Sequence, residues 1–199
     1  MSKPVIVIAL RAAALTLALT GLVYPLVVTG LAQLLFPHPA NGSLVTDDKG
    51  EVVGSELMGQ PFTRPAYFQP RPSAAGPRGW DATASGGSNL GATSAKLRAR
   101  ATAERERLRK ANPDAPAAVP VELLTASASG LDPHLSPAAA LWQAPRVAAA
   151  RGVAQGRVER LVAEYTEARD LGLLGEPRVN VLLLNLALDR QFGRPDARP

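Results

Sequence analysis

The stretch AAALTLALTGLVYPLVVTGLAQLLF, Ala12 to Phe36, decides how this chain is organised. It runs for 25 residues without a formal charge and is dominated by Ala, Leu and Val. At ~1.5 Å per residue a helix of that length reaches roughly 38 Å, enough to cross a ~30 Å hydrocarbon core with some tilt. Lys3 and Arg11 lie on its N-terminal side, and the first formal charges after it are Asp47 and Asp48. The positive-inside bias therefore puts the N-terminus in the cytoplasm and everything after Phe36 outside. A cleaved signal peptide is the rival reading, with Gly30 and Ala32 as small residues before Gln33. The apolar run is longer than the roughly 7–15 residues of a signal core, which favours a retained anchor. Pro25 falls inside the run, as membrane helices tolerate, and Ala14 and Ala18 form a small-xxx-small pair suited to close helix packing.

At 199 residues the chain has room for one compact domain besides the anchor. Aromatic residues make up only 5% of the chain and alanine much of its apolar content, so the core should be aliphatic. Gly and Pro together number 35, which predicts a loop-rich fold. The absence of cysteine removes disulfides, thiol catalysis and thiolate metal sites at once. A net charge of +5 invites a nucleic-acid reading, but past the anchor 20 basic residues face 17 acidic ones and few aromatics accompany them. No nucleic-acid partner is expected.

Pro37 and Pro39 should end the helix, with His38 at headgroup level. Short apolar pieces around Asp47-Asp48-Lys49-Gly50 predict a β-hairpin between Asn41 and Met58. Five prolines from Gly59 to Pro77 predict an extended segment pinned to the core by Phe62, Tyr67 and Phe68. Ser94 to Ala111 is helical in composition, capped by Ser94, and carries Lys96, Arg98, Arg100, Arg105, Arg107, Arg109 and Lys110 against Glu104 and Glu106. It reads as a solvated basic helix, or as one that docks on an acidic partner or on headgroups. Val119 to Thr125 is a strand candidate. Ser136 and Pro137 predict an N-cap and first helical residue, for a helix that must stop or kink before Pro145, where a second begins and runs through Arg151. Val158 to Asp170 reads as an amphipathic helix closed by Gly172 and Gly175. Asn180 caps a last helix from Val181 to Asp189. The expected fold class is α+β: a transmembrane helix within residues 1–37, then one mixed extracytoplasmic domain at 38–199.

Two loops could carry chemistry. Ser85-Gly86-Gly87-Ser88-Asn89-Leu90-Gly91 can present a nest of backbone N–H groups to an anion, although no Lys-Ser/Thr follows as a Walker loop needs. A glycine-rich turn is the simpler explanation. Ser127 to His134 (SASGLDPH) contains Ser129, Asp132 and His134, so a hydrolase triad has to be weighed. Triad members converge from separate elements, whereas Asp132 and His134 flank the rigid Pro133. A metal site would need further ligands, and His38 is the only other histidine.

Six blocks then fall in a recognisable order: Gly59-Gln60-Pro61-Phe62; Tyr67 through Ser73; Ser85 through Gly91; Ser129 through Ser136; Gln143 to Arg151; and Pro177-Arg178-Val179-Asn180-Val181 running on to Leu186-Ala187-Leu188-Asp189. With the N-terminal helix before them, they resemble the KdpC family of the bacterial Kdp-type potassium-transporting ATPase. Ala92, Ser94 and Trp80 depart from that family's usual Pro, Asn and Tyr.

The resemblance implies a non-catalytic subunit of a bacterial inner-membrane potassium uptake pump, with a channel-like K⁺-selecting subunit and a P-type ATPase subunit as partners besides membrane lipid. It also implies a catalytic chaperone that raises the ATPase subunit's affinity for ATP. Ser85, Gly86, Gly87, Ser88, Asn89 and Leu90 are the implied nucleotide contacts, and Ser129, Gly130, Leu131, Asp132, Pro133 and His134 form a second family loop. No stably bound cofactor is expected, and ATP enters only through the ATPase subunit. Direct contact conflicts with the topology above, because a periplasmic loop does not meet cytoplasmic ATP. The competing expectation is a membrane-anchored periplasmic hydrolase using Ser129 and His134.

Overall fold

The computed structural model describes residues 3–195, and the chain divides into two compact units, Met1–Leu44 and Val45–Pro199. In the first, α1 (Lys3–Ala18) and α2 (Tyr24–Leu35) are joined without a break by a π-helical turn at Leu19–Val23. Pro25 explains that turn. Proline has no N–H to give the carbonyl four residues back and its ring crowds that carbonyl, and the Tyr24 N–H reaches Leu19 instead, five residues back. The helix thus continues past the proline by widening one turn. The stretch Pro4–Leu35 has the length and composition to cross a membrane, with a mean hydropathy of 2.2, and its leucines and valines are exposed along its length. A short α3 (Pro37–Ala40) follows, tied back by an amide pair between Gln33 and Asn41.

The second unit is a mixed α+β domain. β1 (Leu44–Thr46) and β2 (Val52–Ser55) form the predicted hairpin, and Asp47 holds its turn by accepting from the Lys49 and Glu51 N–H groups. A three-stranded antiparallel sheet has the order β3 (His134–Leu135), β5 (Arg178–Asn180), β4 (Thr166–Glu167). Around it stand α4 (Ala95–Ala111), α5 (Pro137–Arg151), α6 (Gln155–Glu164) and α7 (Val181–Phe192). Ser94, Ser136 and Asn180 each accept a backbone N–H three residues on, as N-caps do. The core is aliphatic, as composition predicts: Leu135, Ala139, Val147, Val158, Val179 and Leu184 belong to one buried cluster with Phe68. Burying Phe68 completely contributes about 2–3 kcal/mol, which is what fastens the proline-rich segment to the domain.

Three local expectations fail. Val119 to Thr125 is not a strand. Pro120 starts a 3₁₀ turn at Val121–Leu123, which points Glu122 at the N–H and hydroxyl of Ser136. The helix does not stop at Pro145 and no second helix opens there: α5 runs through it, because Ala138, Leu141, Pro145 and Ala149 line its outer side while Trp142, Gln143, Ala144, Arg146, Val147 and Ala148 are buried. Packing of that inner face outweighs the one hydrogen bond proline removes. The helix beginning near Val158 ends at Glu164 instead of Asp170, because Thr166 and Glu167 pair with Val179 and Arg178 of β5. Gly172 lies in a tight turn bridged between Asp170 and Leu174, with Gly175 just after it, which leaves Leu171, Leu173 and Leu174 exposed.

Candidate functional site

The sequence blocks, separate along the chain, meet in space, and the meeting begins at the extended segment from Pro65 to Gln69. Pro65 and Pro70 at its ends deny it a strand neighbour, yet buried carbonyls need donors. Side chains supply them. Asn185 of α7 accepts from the Phe68 N–H at 2.8 Å and donates to the Phe68 carbonyl at 3.0 Å. Gln143 of α5 does the same for Gln69, at 2.9 and 3.0 Å. Each amide therefore reproduces the two bonds a neighbouring strand would make.

Two buried arginines complete the set. Arg151 donates to the Ala66 carbonyl at 2.7 Å and pairs with Asp189 at 2.8 Å. Arg146 donates to the carbonyls of Pro65 and Tyr67, to Asn112 at 2.8 Å and to Gln143 at 2.7 Å. Burial pushes its guanidinium down to about 10, so it stays charged at neutral pH, with no carboxylate among its described partners. Tyr67 lies under the Arg64 and Arg151 guanidinium groups at 5.1 and 4.9 Å and donates to Asp189. Burial, with the Asp189 carboxylate beside it, pushes the phenol up. Gln143, Arg146, Arg151 and Asn185 are the working residues that residue-by-residue reading missed. Their signal was faint: polar residues on the inward faces of otherwise apolar helices.

The two chemistry-bearing loops also meet. The Gly86 N–H and the Ser85 hydroxyl both donate to the Ser129 carbonyl, at 2.9 and 3.1 Å. Ser73 donates to the Gly130 carbonyl at 2.5 Å and accepts from the N–H groups of Ala75 and Trp80. Gly130 has φ +67°, and a Cβ there would lie 2.7 Å from the Ala75 nitrogen and 2.8 Å from the Gly86 oxygen. At Gly87 a Cβ would lie 3.0 Å from the Ala128 oxygen. These glycines thus let three backbones touch. Ser88, Asn89 and Leu90 continue as irregular chain, with Asn89 at φ +50°.

In the second loop, Ser129 is exposed and its hydroxyl is engaged by the Leu131 N–H at 3.1 Å and by Ser127. His134 is not among its described partners. Asp132 accepts from the His134 N–H at 3.0 Å and from Arg71 at 2.9 Å, and lies 3.6 Å from the His134 ring. Burial raises its carboxyl, but the His134 and Arg71 interactions outweigh that and hold it below the usual carboxylate range. Leu131 accepts from the Gly59 N–H at 2.7 Å, Pro133 accepts from the Val181 N–H, and His134 starts β3. Between the extended segment and α4 lies a cleft of about 300 Å³ lined by Phe62, Gln69, Pro72, Trp80 and Arg107. Its one guanidinium is held by Glu104 at 2.6 Å and by Gln69 at 3.2 Å.

This pattern of blocks is shared with known proteins. Residues 6–190 match the family described as the K⁺-transporting ATPase, c chain. A potassium-transporting ATPase KdpC subunit of Myxococcus xanthus is 67% identical over 192 residues, covering 96% of this chain and 90% of the relative. That of Sorangium cellulosum is 58% identical over 171 residues, covering 86% and 90%. That of Rhodospirillum rubrum is 58% identical over 180 residues, covering 90% and 92%. With a helix long and apolar enough to cross a membrane ahead of a mixed domain whose family blocks interlock, the chain belongs to the KdpC family of potassium-transporting ATPase subunits.

Proposed function

We propose that this protein is a non-catalytic accessory subunit of an ATP-driven potassium uptake pump in the bacterial inner membrane. In this reading it is held by its N-terminal helix and stabilises the channel-like and P-type ATPase subunits through contacts of its domain. The observation that carries the non-catalytic reading is how the motif residues are used. Ser85, Gly86, Ser129, Gly130, Leu131, Asp132 and Pro133 each have a hydrogen-bonding partner within the domain. A catalytic constellation would aim such groups at a substrate. The experiment is to delete the protein and measure assembly and K⁺-stimulated ATPase activity of what remains. Loss of either is expected, and unchanged assembly and activity would overturn the proposal.

Lys3 and Arg11 favour a cytoplasmic N-terminus and a periplasmic domain. On that side of the bilayer the Ser85–Leu90 loop does not meet ATP, so any rise in the ATPase subunit's nucleotide affinity travels through contacts between the subunits. Reporter fusions after Leu90 test the sidedness, and a cytoplasmic signal would restore direct nucleotide contact. The hydrolase alternative predicts labelling by a serine-reactive probe that Ser129→Ala abolishes. The engagement of the Ser129 hydroxyl within its own turn speaks against it.

A further inference from the structure

The net charge of this protein has an address. The whole chain carries 22 basic and 17 acidic residues, an excess of five. α4 alone holds seven basic and two acidic residues, also an excess of five. The 15 basic and 15 acidic residues elsewhere balance.

Four of the seven cations of α4 are also uncommitted. Arg107 pairs with Glu104, and Arg109 donates to the Ala117 carbonyl at 2.5 Å. Lys96, Arg98, Arg105 and Lys110 are exposed and have no ion-pair partner among the described residues. At 100° per residue, Arg98, Arg105 and Arg109 line one flank, and Lys96, Arg100, Arg107 and Lys110 the other. Between the flanks Leu97 and Leu108 face the domain, and Leu108 is the helix's only buried residue. Cations therefore cover both flanks of a rod about 26 Å long.

We propose that α4 is an electrostatic docking surface for anionic phospholipid headgroups. Three observations select that occupant. The outward surface of α4 holds Ala99, Thr102, Ala103 and a single carboxylate, Glu106, between the cations and no large apolar or aromatic side chain. A protein interface is anchored by such side chains and is poor in lysine. A headgroup layer needs neither an anchor nor shape complementarity, since its charges are mobile and attraction accrues per cation. The missing apolar face also makes α4 a helix that adheres to a surface without inserting. Finally, the same chain carries a helix fit to cross a membrane, so anionic headgroups are present at high local concentration. The inference goes beyond the accessory-subunit reading and does not depend on it, because it requires only that the chain be membrane-attached.

The test uses the full chain in lipid nanodiscs and exploits the absence of cysteine. A spin label is placed through Ala103→Cys on α4, and in a second sample through Ala138→Cys on the outer side of α5. Its collisions with a neutral, water-soluble nickel chelate are measured in pure phosphatidylcholine and with ~30 mol% phosphatidylglycerol, an anionic surface of the kind that attracts Lys and Arg. Severalfold protection at position 103 in the anionic discs alone is expected, with no change at position 138. Protection should vanish at ~0.5 M NaCl, where the screening length is about 4 Å. The triple variant Lys96→Gln, Arg98→Gln, Arg105→Gln should lose roughly a hundredfold in docking equilibrium, about fivefold per charge. Far-UV circular dichroism serves as the control for retained folding. Equal accessibility in both lipids overturns the proposal, as does protection that survives high salt. Protection that requires added pump subunits and ignores lipid charge also overturns it, in favour of an acidic protein partner. None of these outcomes bears on whether deleting the protein impairs the pump.

Discussion

Two helices of this domain, α4 and α5, use arginine in opposite ways. On α5, Arg146 and Arg151 are buried and each donates to backbone carbonyls of the segment from Pro65 to Tyr67. On α4, Arg98 and Arg105 face water without an ion-pair partner among the described residues. The residue type is the same, so the difference lies in what the neighbouring chain lacks. A proline-rich segment without a strand beside it offers unpaired carbonyls, and a planar guanidinium with five donors can satisfy several at once. Where no such deficit adjoins a helix, the charge is left for something outside the molecule.

The sharpest way to break this contrast is to replace one arginine from each helix with a residue of similar length. Arg146→Met strands the Pro65 and Tyr67 carbonyls and the side-chain oxygen of Asn112, at 1–3 kcal/mol for each buried acceptor left unpaired; we expect a loss of about 3 kcal/mol or more. Arg98→Met should stay within about 0.5 kcal/mol of the parent. Urea unfolding of the detergent-solubilised chain, followed by the fluorescence of buried Trp142, measures both. Similar losses for the two variants would end the distinction between structural and available arginines.

The same contrast marks what the sequence reveals and what it hides. Ser94, Ser136 and Asn180 were legible as caps because capping is local chemistry between a side chain and an N–H three residues away. The hairpin and the aromatic pinning by Tyr67 and Phe68 were legible for similar reasons. The passage of α5 through Pro145 was not, since a buried inner face overrode a local rule. Thr166 and Glu167 became a strand only because β5 adjoins them. The clasp of Gln143 and Asn185 on Phe68 and Gln69 joins residues 74 and 117 positions apart, and no spacing rule reaches that far. The family blocks were recognisable as strings, while their meeting at one junction is a property of the fold.

At that junction glycine tests the contrast without involving charge. If the glycine-rich loop is built for close backbone approach, the cost of adding a methyl group should follow the space available. Gly130→Ala meets both a left-handed φ and backbone atoms at 2.7–2.8 Å, and we expect a loss of about 2 kcal/mol or more. Gly87→Ala meets one oxygen at 3.0 Å and should cost about 1 kcal/mol. Gly91→Ala meets nothing within 4 Å and should be silent. Thermal unfolding of the three variants gives the order. If Gly91→Ala instead impaired the assembled pump while leaving stability intact, the loop would serve a partner as well as the fold.

The pair Arg71–Asp132 is the intermediate case, half-buried and joined at 2.9 Å. Asp132 has its carboxyl held below the usual range, and the sign of the resulting pH dependence follows from that. A carboxyl that ionises more readily in the folded chain than in the unfolded one, near 3.9, contributes stability above the unfolded value. That contribution is lost as pH falls through the lower folded value. Asp132→Asn keeps an acceptor for the His134 N–H but leaves Arg71 without its carboxylate, at a cost of about 1 kcal/mol at pH 7. The gap between parent and variant should persist to about pH 5 and close between about pH 4 and pH 2, which urea midpoints across that range measure. The absence of a gap at every pH would mean that Asp132 acts through its turn-forming hydrogen bond alone, which asparagine keeps. Arg71 would then belong with the available arginines of α4 and not with the structural ones of α5.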